Sequence, residues 1–416
     1  MRKFNQPAWL QKILLILGIL GPGLITASAG NDAPGIATYS SAGSNYGYTL
    51  LWVMVVIAVA CVAVQEMAAR MGAVTGKGTA DLIRERFGLR ITSFAMASLL
   101  IANLGTTIAE FAGIAAAGEI FGISRYITVP LAGLLFSLLI LRGNYGIIEK
   151  VLLVLTLSAF AYVISVFIVK PDMQEILEAT FRPQITLTQG YVTTVLAAIG
   201  TTIAPWAIFY LQASVADKGR PLNKFWETRL DTVFGAVLGN MVSIFIIILT
   251  AATLFKSGVR VETAEAAAQA LRPFAGAWAT PLFAAGLLGA SLLAVSVLPL
   301  STTYAFCEAF GFERGLNRPM REAPAFYTIF IAITGLAVAI TLLPGVPLFQ
   351  LMIFSQAVNA MLLPVTLVLA LVLANDSRIM GKHKNGAVAN ILLISVTALV
   401  LAATAALVVL PLINPI

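Results

Sequence analysis

Two carboxylates occupy places where a charge is costly. Asp32 lies in GPGLITASAGNDAPGIATY (21–39) and Glu110 in TTIAEFAGIAAAG (106–118), each inside a long apolar run. An ionisable group at membrane depth usually marks an ion path or a proton relay. Asp32 therefore reads as a cation ligand, with a structural partner as the bland alternative. Gln356, in FSQAVNAMLLP (354–364), reads equally as a neutral oxygen ligand or as an amide bonding a neighbouring helix. Asn240 and Asn359 share that ambiguity. Glu66 and Glu119 fall near the ends of apolar runs, where headgroup contact explains them. His383 sits in a basic loop and reads as solvated. Cys61 and Cys307 lie in apolar stretches and read as packing residues, so no disulfide framework or Cys/His metal cluster is expected.

These residues are carried by a chain of 416 residues that is 59% hydrophobic and only 11% charged. Soluble domains run near 45–50% apolar with about a quarter of residues charged. Together with a mean hydropathy of +0.93, this makes the chain an integral membrane protein. Spanning the hydrocarbon core takes about 20 apolar residues. The charge-free runs, split at the polar YSSAGSNYGY (39–48) and at LLPGVP (342–347), predict eleven helices. They fall near 13–38, 49–70, 92–120, 126–142, 148–170, 188–215, 230–255, 278–308, 323–342, 347–374 and 387–412. Of the 26 Lys and Arg residues, 20 fall in the segments that are cytoplasmic when the N-terminus is inside. The positive-inside rule then places the N-terminus in the cytoplasm and the C-terminus outside a cell membrane. That rule also accounts for the net charge of +7, so no nucleic-acid partner is implied. The first apolar stretch runs on past any convincing cleavage site and reads as a span rather than a removed signal. With no phosphate-cradling loop and no nucleophile–base constellation, neither an enzyme nor an ATP-driven pump is indicated.

Two segments are interrupted. The first carries GNDAPG and the sixth, in AAIGTTIAPWAIFY (197–210), carries a proline in the corresponding place five helices later. Paired breaks of this kind are where transporters free carbonyls and half-helix ends for substrate and ions. Two ordinary proline kinks are the plainer reading, and Asp32 inside the first break favours the functional one.

The run GPGLITASAGNDAPGIATYSSAG, with AARMGAVTGKGTADLIRERFG (68–88), RGNYGIIEKVLLVL (142–155), SQAVNAMLLP (355–364) and RIMGK (378–382), resembles the NRAMP divalent-metal transporters over nearly the whole chain. The resemblance implies an all-α, LeuT-like fold: two inverted five-helix repeats, about 13–170 and 188–374, with discontinuous helices 1 and 6 and an extra helix at about 387–412. All would form a single transmembrane domain, 1–416. The departures fall on the metal-selecting positions. Asp32 keeps the family's acid, but Gly35 replaces its asparagine. The Met-Pro-His motif of the sixth helix becomes Ala204, Pro205 and Trp206. The third-helix acid pair becomes Thr107 and Glu110, which leaves one acid for a proton or gating role.

Losing a thioether weakens preference for soft transition metals, which hard oxygen donors do not favour. A roomier site with one carboxylate suits Mg²⁺, which dehydrates reluctantly. The chain is thus most similar to the NRAMP-related magnesium transporter branch. The resemblance implies Asp32 and Gln356 as ligands, carbonyls of Ala29 and Thr201 near the ion or its waters, and room made by Gly35 and Ala204. Trp206 fills the old histidine space. The expected activity is uptake of Mg²⁺ and Mn²⁺ without proton coupling. No cofactor is expected, and the partners are divalent ions and the bilayer. The oligomeric state is open, and a monomer fits. The rival readings are a proton-coupled Mn²⁺/Fe²⁺ transporter and an amino-acid or organic-cation carrier of the same architecture.

Overall fold

The computed structural model describes residues 31–142, 160–219, 222, 225–315 and 319–413. Among them the main helices are α1 (Ala33–Tyr46), α2 (Leu51–Thr75), α3 (Thr79–Ile120), α4 (Arg125–Arg142), α5 (Phe160–Val169) and α6 (Met173–Phe181). They continue as α7 (Gln189–Thr202), α8 (Pro205–Lys218), α9 (Phe225–Thr250), α10 (Ala279–Phe310), α11 (Pro324–Thr341), α12 (Leu348–Asn375) and α13 (Ala387–Ile413). Eight helical stretches among the described residues are long and apolar enough to cross a membrane, matching the second, third and sixth to eleventh predicted segments. The fourth is a shorter apolar helix, Arg125–Leu141. Much of the first and fifth segments, with Ala29, lies outside the described residues.

Boundaries differ from the sequence reading where local chemistry intervenes. The third helix begins at Thr79 because the charged stretch TADLIRERFG is helical too. Gly88, at φ 75°, separates that amphipathic turn from the apolar span; a residue with a Cβ is strained there. The sixth segment is two helices. Ile203 (φ −118°, ψ 66°) and Ala204 (φ −72°, ψ 135°) leave the helical region, and Pro205 opens α8.

The outer face of the bundle is apolar, as lipid requires, and its apolar core encloses a set of buried polar groups. Phe94, Ile101, Leu131, Ile391 and Ile394 are exposed, whereas Asp32, Asn103, Glu110, Gln356 and Asn359 are buried. Alternate junctions gather at opposite ends. Gln212 of α8 accepts from the Thr79 hydroxyl (2.6 Å) and donates to the Lys77 carbonyl (3.0 Å), and Arg314 pairs with Asp81 and Glu308. At the other end of α3, Arg125 pairs with Glu119 (2.6 Å) and donates to the Val346 carbonyl. This is the clustering that a chain crossing back and forth must show.

Candidate functional site

Asp32 is first of all a helix cap. Its Oδ1 accepts the Gly35 N–H at 2.7 Å while its carbonyl accepts Ile36 N–H at 2.9 Å, so it opens α1. Pro34 suits that first turn, where an amide hydrogen has no helical partner. Such a cap contributes about 1 kcal/mol, and the helix N-terminus favours a negative charge beside it. The neighbouring Asn31 is held by α9: its Nδ2 donates to the Gly239 carbonyl (3.2 Å) and its Oδ1 accepts from the Ser243 hydroxyl (3.2 Å).

Glu110 meets Asp32. Its carboxyl, fully buried, faces the Asp32 carboxyl, the Ala33 amide and Ser291 of α10, yet neither oxygen closes a hydrogen bond. One turn along the same face of α3, Gly113 makes the approach possible. A Cβ there would overlap Ala33 Cβ and Ser291 Oγ, so only glycine lets α1, α3 and α10 close up. Two carboxylates facing one another in apolar surroundings repel unless a cation or a proton lies between them. Thr107, in contrast, turns its hydroxyl back onto the Asn103 carbonyl at 2.7 Å. That is a back-bond within α3 itself.

The sixth-segment break supplies the neutral oxygens. Pro205 has no N–H, so the Thr201 carbonyl four residues earlier loses its helical donor. The Thr201 hydroxyl is buried and also has no partner. Tyr39 of α1 and Thr202 of α7 share a hydroxyl–hydroxyl bond of 2.8 Å, which ties the two broken segments together. From α12, the Asn359 Nδ2 donates to the Gly200 carbonyl (2.9 Å) and, at 3.4 Å, to Gln356 Oε1. Gln356 is 1% exposed and lies where α12 touches α7. Ala204 and Trp206 pack with Ala294, Val297 and Leu298 of α10, and Trp206 leans on Tyr210 with ring centroids 6.1 Å apart.

The structure therefore brings Asp32 together with Gly35 and Glu110, and sets Thr201, Ala204, Trp206 and Gln356 around the second break. The two sets are joined through packing of their elements, α1 against α3, α7 and α12. Among the described residues, no three His, Cys, Asp or Glu side chains cluster as a metal site would. Two cavities stand at opposite ends of α3. One, about 370 Å³, lies between α8 and α10 and is lined by Tyr210, Asp217, Val297 and Glu308. The other, about 410 Å³, is lined by Ala116, Glu119, Glu262, Glu265 and Gln350. Ser291, Tyr39 and the tie through Asn359 are not legible from sequence. A lone serine in an apolar helix gives no signal, and Tyr39 opens a stretch that reads as a polar loop.

The model of the family described as natural resistance-associated macrophage protein-like matches residues 23–410. The chain belongs to the NRAMP family. Its relatives include the divalent metal cation transporter MntH of Aeromonas hydrophila, 28% identical over 386 residues and 89% of this chain and 90% of that one. The Bacillus subtilis protein of the same name is 30% identical over 301 residues, 69% of each chain. A crystal structure of the Eremococcus coleocola manganese transporter with an aromatic bis-isothiourea compound superposes with a TM-score of 0.73 at 22% identity, covering 99% of this chain and 90% of that one. The fold likeness extends to the nucleobase-cation symporter Mhp1, at TM-score 0.56 and 16% identity over 95% and 94%. This NRAMP protein is thus a multi-pass membrane transporter and not an enzyme, its fold is LeuT-like, and metal ions are substrates rather than cofactors.

Proposed function

We propose that this transporter takes up Mg²⁺, and Mn²⁺ beside it, as partly hydrated ions by alternating access and without proton coupling. The observation that carries the reading is the donor set at the two breaks. The donors expected for the ion are oxygens: the Asp32 carboxylate, the Gln356 amide, and the Thr201 carbonyl and hydroxyl. Position 204 holds a methyl group and position 206 an indole, both packed against α10, so neither sulfur nor imidazole is presented there. Hard ions that keep part of their water suit such donors. The relatives' names speak of divalent metal cations and manganese, and a smaller, more hydrated ion is the shift that these substitutions favour. Gly35 and Ala204 leave space, and the carbonyl of Ala29 completes the expected set. The inverted repeats, 13–170 and 188–374, would rock about this site between the two end cavities. With the N-terminus inside and the C-terminus outside, two charges moving down 100 mV gain about 4.6 kcal/mol, enough to accumulate the ion without protons.

The second reading, proton-coupled Mn²⁺ transport, draws on one observation: the Glu110 carboxyl lies against Asp32 without a hydrogen bond. A proton there would leave when the metal arrives. Proteoliposomes with an internal pH dye and a metal indicator decide between them. Mg²⁺ entry with no acidification, and Mn²⁺ entry suppressed by excess Mg²⁺, is the expected result. Acidification that tracks metal entry, or Mn²⁺ flux indifferent to millimolar-scale Mg²⁺, overturns it.

A further inference from the structure

The short helix α6 carries an apolar edge that the bundle does not cover. The chain leaves α5 at Lys170, whose N–H donates to the Val166 carbonyl at 2.9 Å and whose φ of 48° ends the helix. Asp172 then opens α6 by accepting the Gln174 N–H at 2.8 Å. At about 100° per residue, the side chains of α6 divide among three faces. Ile176, 7% exposed, belongs to the core, and α6 packs on α2. Gln174 and Glu178 stand on another side, exposed and joined by a hydrogen bond of 3.0 Å. Between these two faces run Met173, Leu177 and Phe181, four residues apart and 63%, 49% and 76% exposed. Ile176 fixes the rotation of the helix. Glu175, opposite the stripe, agrees with it by pairing with Lys256 at 2.8 Å.

The neighbouring surface says what covers the stripe. α5 turns Ile164, Phe167 and Ile168 outward, and in a membrane protein such a face meets lipid. Four residues separate Ile168 from Met173, so the stripe continues that face at the level where the span ends. Lys170 and Arg182 flank the helix, and long cations of this kind reach headgroup phosphates while their stems lie on apolar ground. An apolar edge beside a polar one, with basic flanks, is the pattern of a helix lying in the membrane surface. We propose that α6 lies in the headgroup layer of one leaflet, with Met173, Leu177 and Phe181 dipped into the acyl boundary, and that it anchors the start of α7. Arg182 to Thr188 join the two helices, and Tyr191 of α7 donates its hydroxyl to the Gln184 carbonyl at 3.1 Å. Because α7 is the first half of the broken sixth segment, the anchor holds that half against the membrane while the break flexes. The anchor is the same whichever ion is carried.

Cys61 and Cys307 are buried, so a cysteine introduced on the surface takes a nitroxide label selectively, and labelled wild type supplies the background. Leu177→Cys and Phe181→Cys are compared with Gln174→Cys and Glu178→Cys in phosphatidylcholine liposomes. Each label is tested for accessibility to oxygen, which concentrates in the bilayer, and to a water-soluble nickel chelate. The oxygen-to-nickel ratio should be about fivefold higher at the two stripe positions than at the two polar ones. Equal ratios at all four positions place the stripe in water and overturn the proposal. Immobilised labels shielded from both reagents show that a protein covers it, a second copy or another, and overturn it too. In proteoliposomes, Leu177→Gln with Phe181→Gln should lower uptake about threefold per folded molecule. Leu177→Met with Phe181→Leu, which keeps the edge apolar, should transport as wild type does. Unchanged uptake in the glutamine pair, or equal loss in both pairs, shows that lipid contact of α6 does not hold α7.

Discussion

The backbone of Gly200 rests on the main-chain oxygen of Gln356: a Cβ at that glycine would overlap the oxygen and stand 2.7 Å from the Ala360 nitrogen. The contact sets α7 against α12 at closest approach, and Asn359 adds its hydrogen bond to the Gly200 carbonyl. It thereby fixes how far the Gln356 amide stands from the break. Gly200→Ala forces the two helices apart by the width of a methyl group. Overpacking of this kind costs about 1–3 kcal/mol. We expect a lower melting temperature and a loss of uptake larger than the loss of folded protein. Uptake per folded molecule that equals wild type would show that the spacing does not matter to transport.

Asp32 has two jobs, which conservative and radical substitutions separate. An asparagine side chain still offers an oxygen to the Gly35 N–H, so Asp32→Asn keeps the cap and removes the charge. Asp32→Ala removes both and costs a further ~1 kcal/mol of helix stability. Metal uptake should vanish in both variants, while only the alanine variant melts measurably earlier. Persistent uptake in Asp32→Asn would assign the ion to other oxygens.

Much of this architecture is legible in the chain itself. Apolar runs locate most spans because the bilayer demands about 20 residues of one character. Pro34 and Pro205 mark the breaks because a residue without N–H cannot continue the ladder. Glu110 is legible as a buried acid but not as the neighbour of Asp32. That meeting depends on Gly113, one of many glycines in an apolar chain, and nothing local distinguishes a glycine under a neighbouring helix from one facing lipid. Cys61 reads as packing for the same reason: its Sγ donates to the Thr202 carbonyl of α7, a partner far off in sequence. The charged start of α3 escapes the search for apolar runs, because charge content reports depth in the membrane rather than helicity.

Asp376 gives a pH test away from the membrane interior. It caps the short helix Ser377–Met380 by accepting the Arg378 N–H at 2.9 Å, and Arg86 of α3 pairs with it at 2.8 Å. The backbone bond, with Arg86 beside it, holds its carboxyl below the usual 3.8. A group held low in the folded state stabilises it above the unfolded value and loses that contribution as pH falls through the folded one. Stability of wild type relative to Asp376→Asn should therefore be constant above pH 3.8 and fall below it. A difference that persists unchanged at the lowest pH would show that the ionised cap contributes nothing.

Position 204 tests the softness argument. Its methyl group packs with Ala294, Val297 and Leu298, so Ala204→Met must crowd α10 or swing its thioether toward the break. The first outcome costs about 1–3 kcal/mol with no change in selectivity. The second brings sulfur to the ion. We expect competition assays to show Cd²⁺ and Mn²⁺ gaining on Mg²⁺, alongside a lower melting temperature. A variant that loses stability while its cation order stays fixed would place the side chain away from the ion path.

Glu110→Gln separates the two readings of the carboxylate pair. In the uncoupled reading, Glu110 adds negative charge beside Asp32 and helps to hold a divalent ion. Its neutral replacement should raise the half-saturating Mg²⁺ concentration by about tenfold, equivalent to ~1.4 kcal/mol, with the maximal rate retained. The stability of the metal-free protein should rise, since the substitution removes an unpaired buried carboxyl that faces another. In the coupled reading, the same change abolishes the pH dependence of uptake and the proton current, and the maximal rate falls with them. Rates measured at several external pH values, in wild type and variant side by side, separate the two. A wild-type rate that is flat with pH, with only the concentration dependence displaced in Glu110→Gln, is the result expected of a carboxylate that holds the metal rather than one that carries a proton.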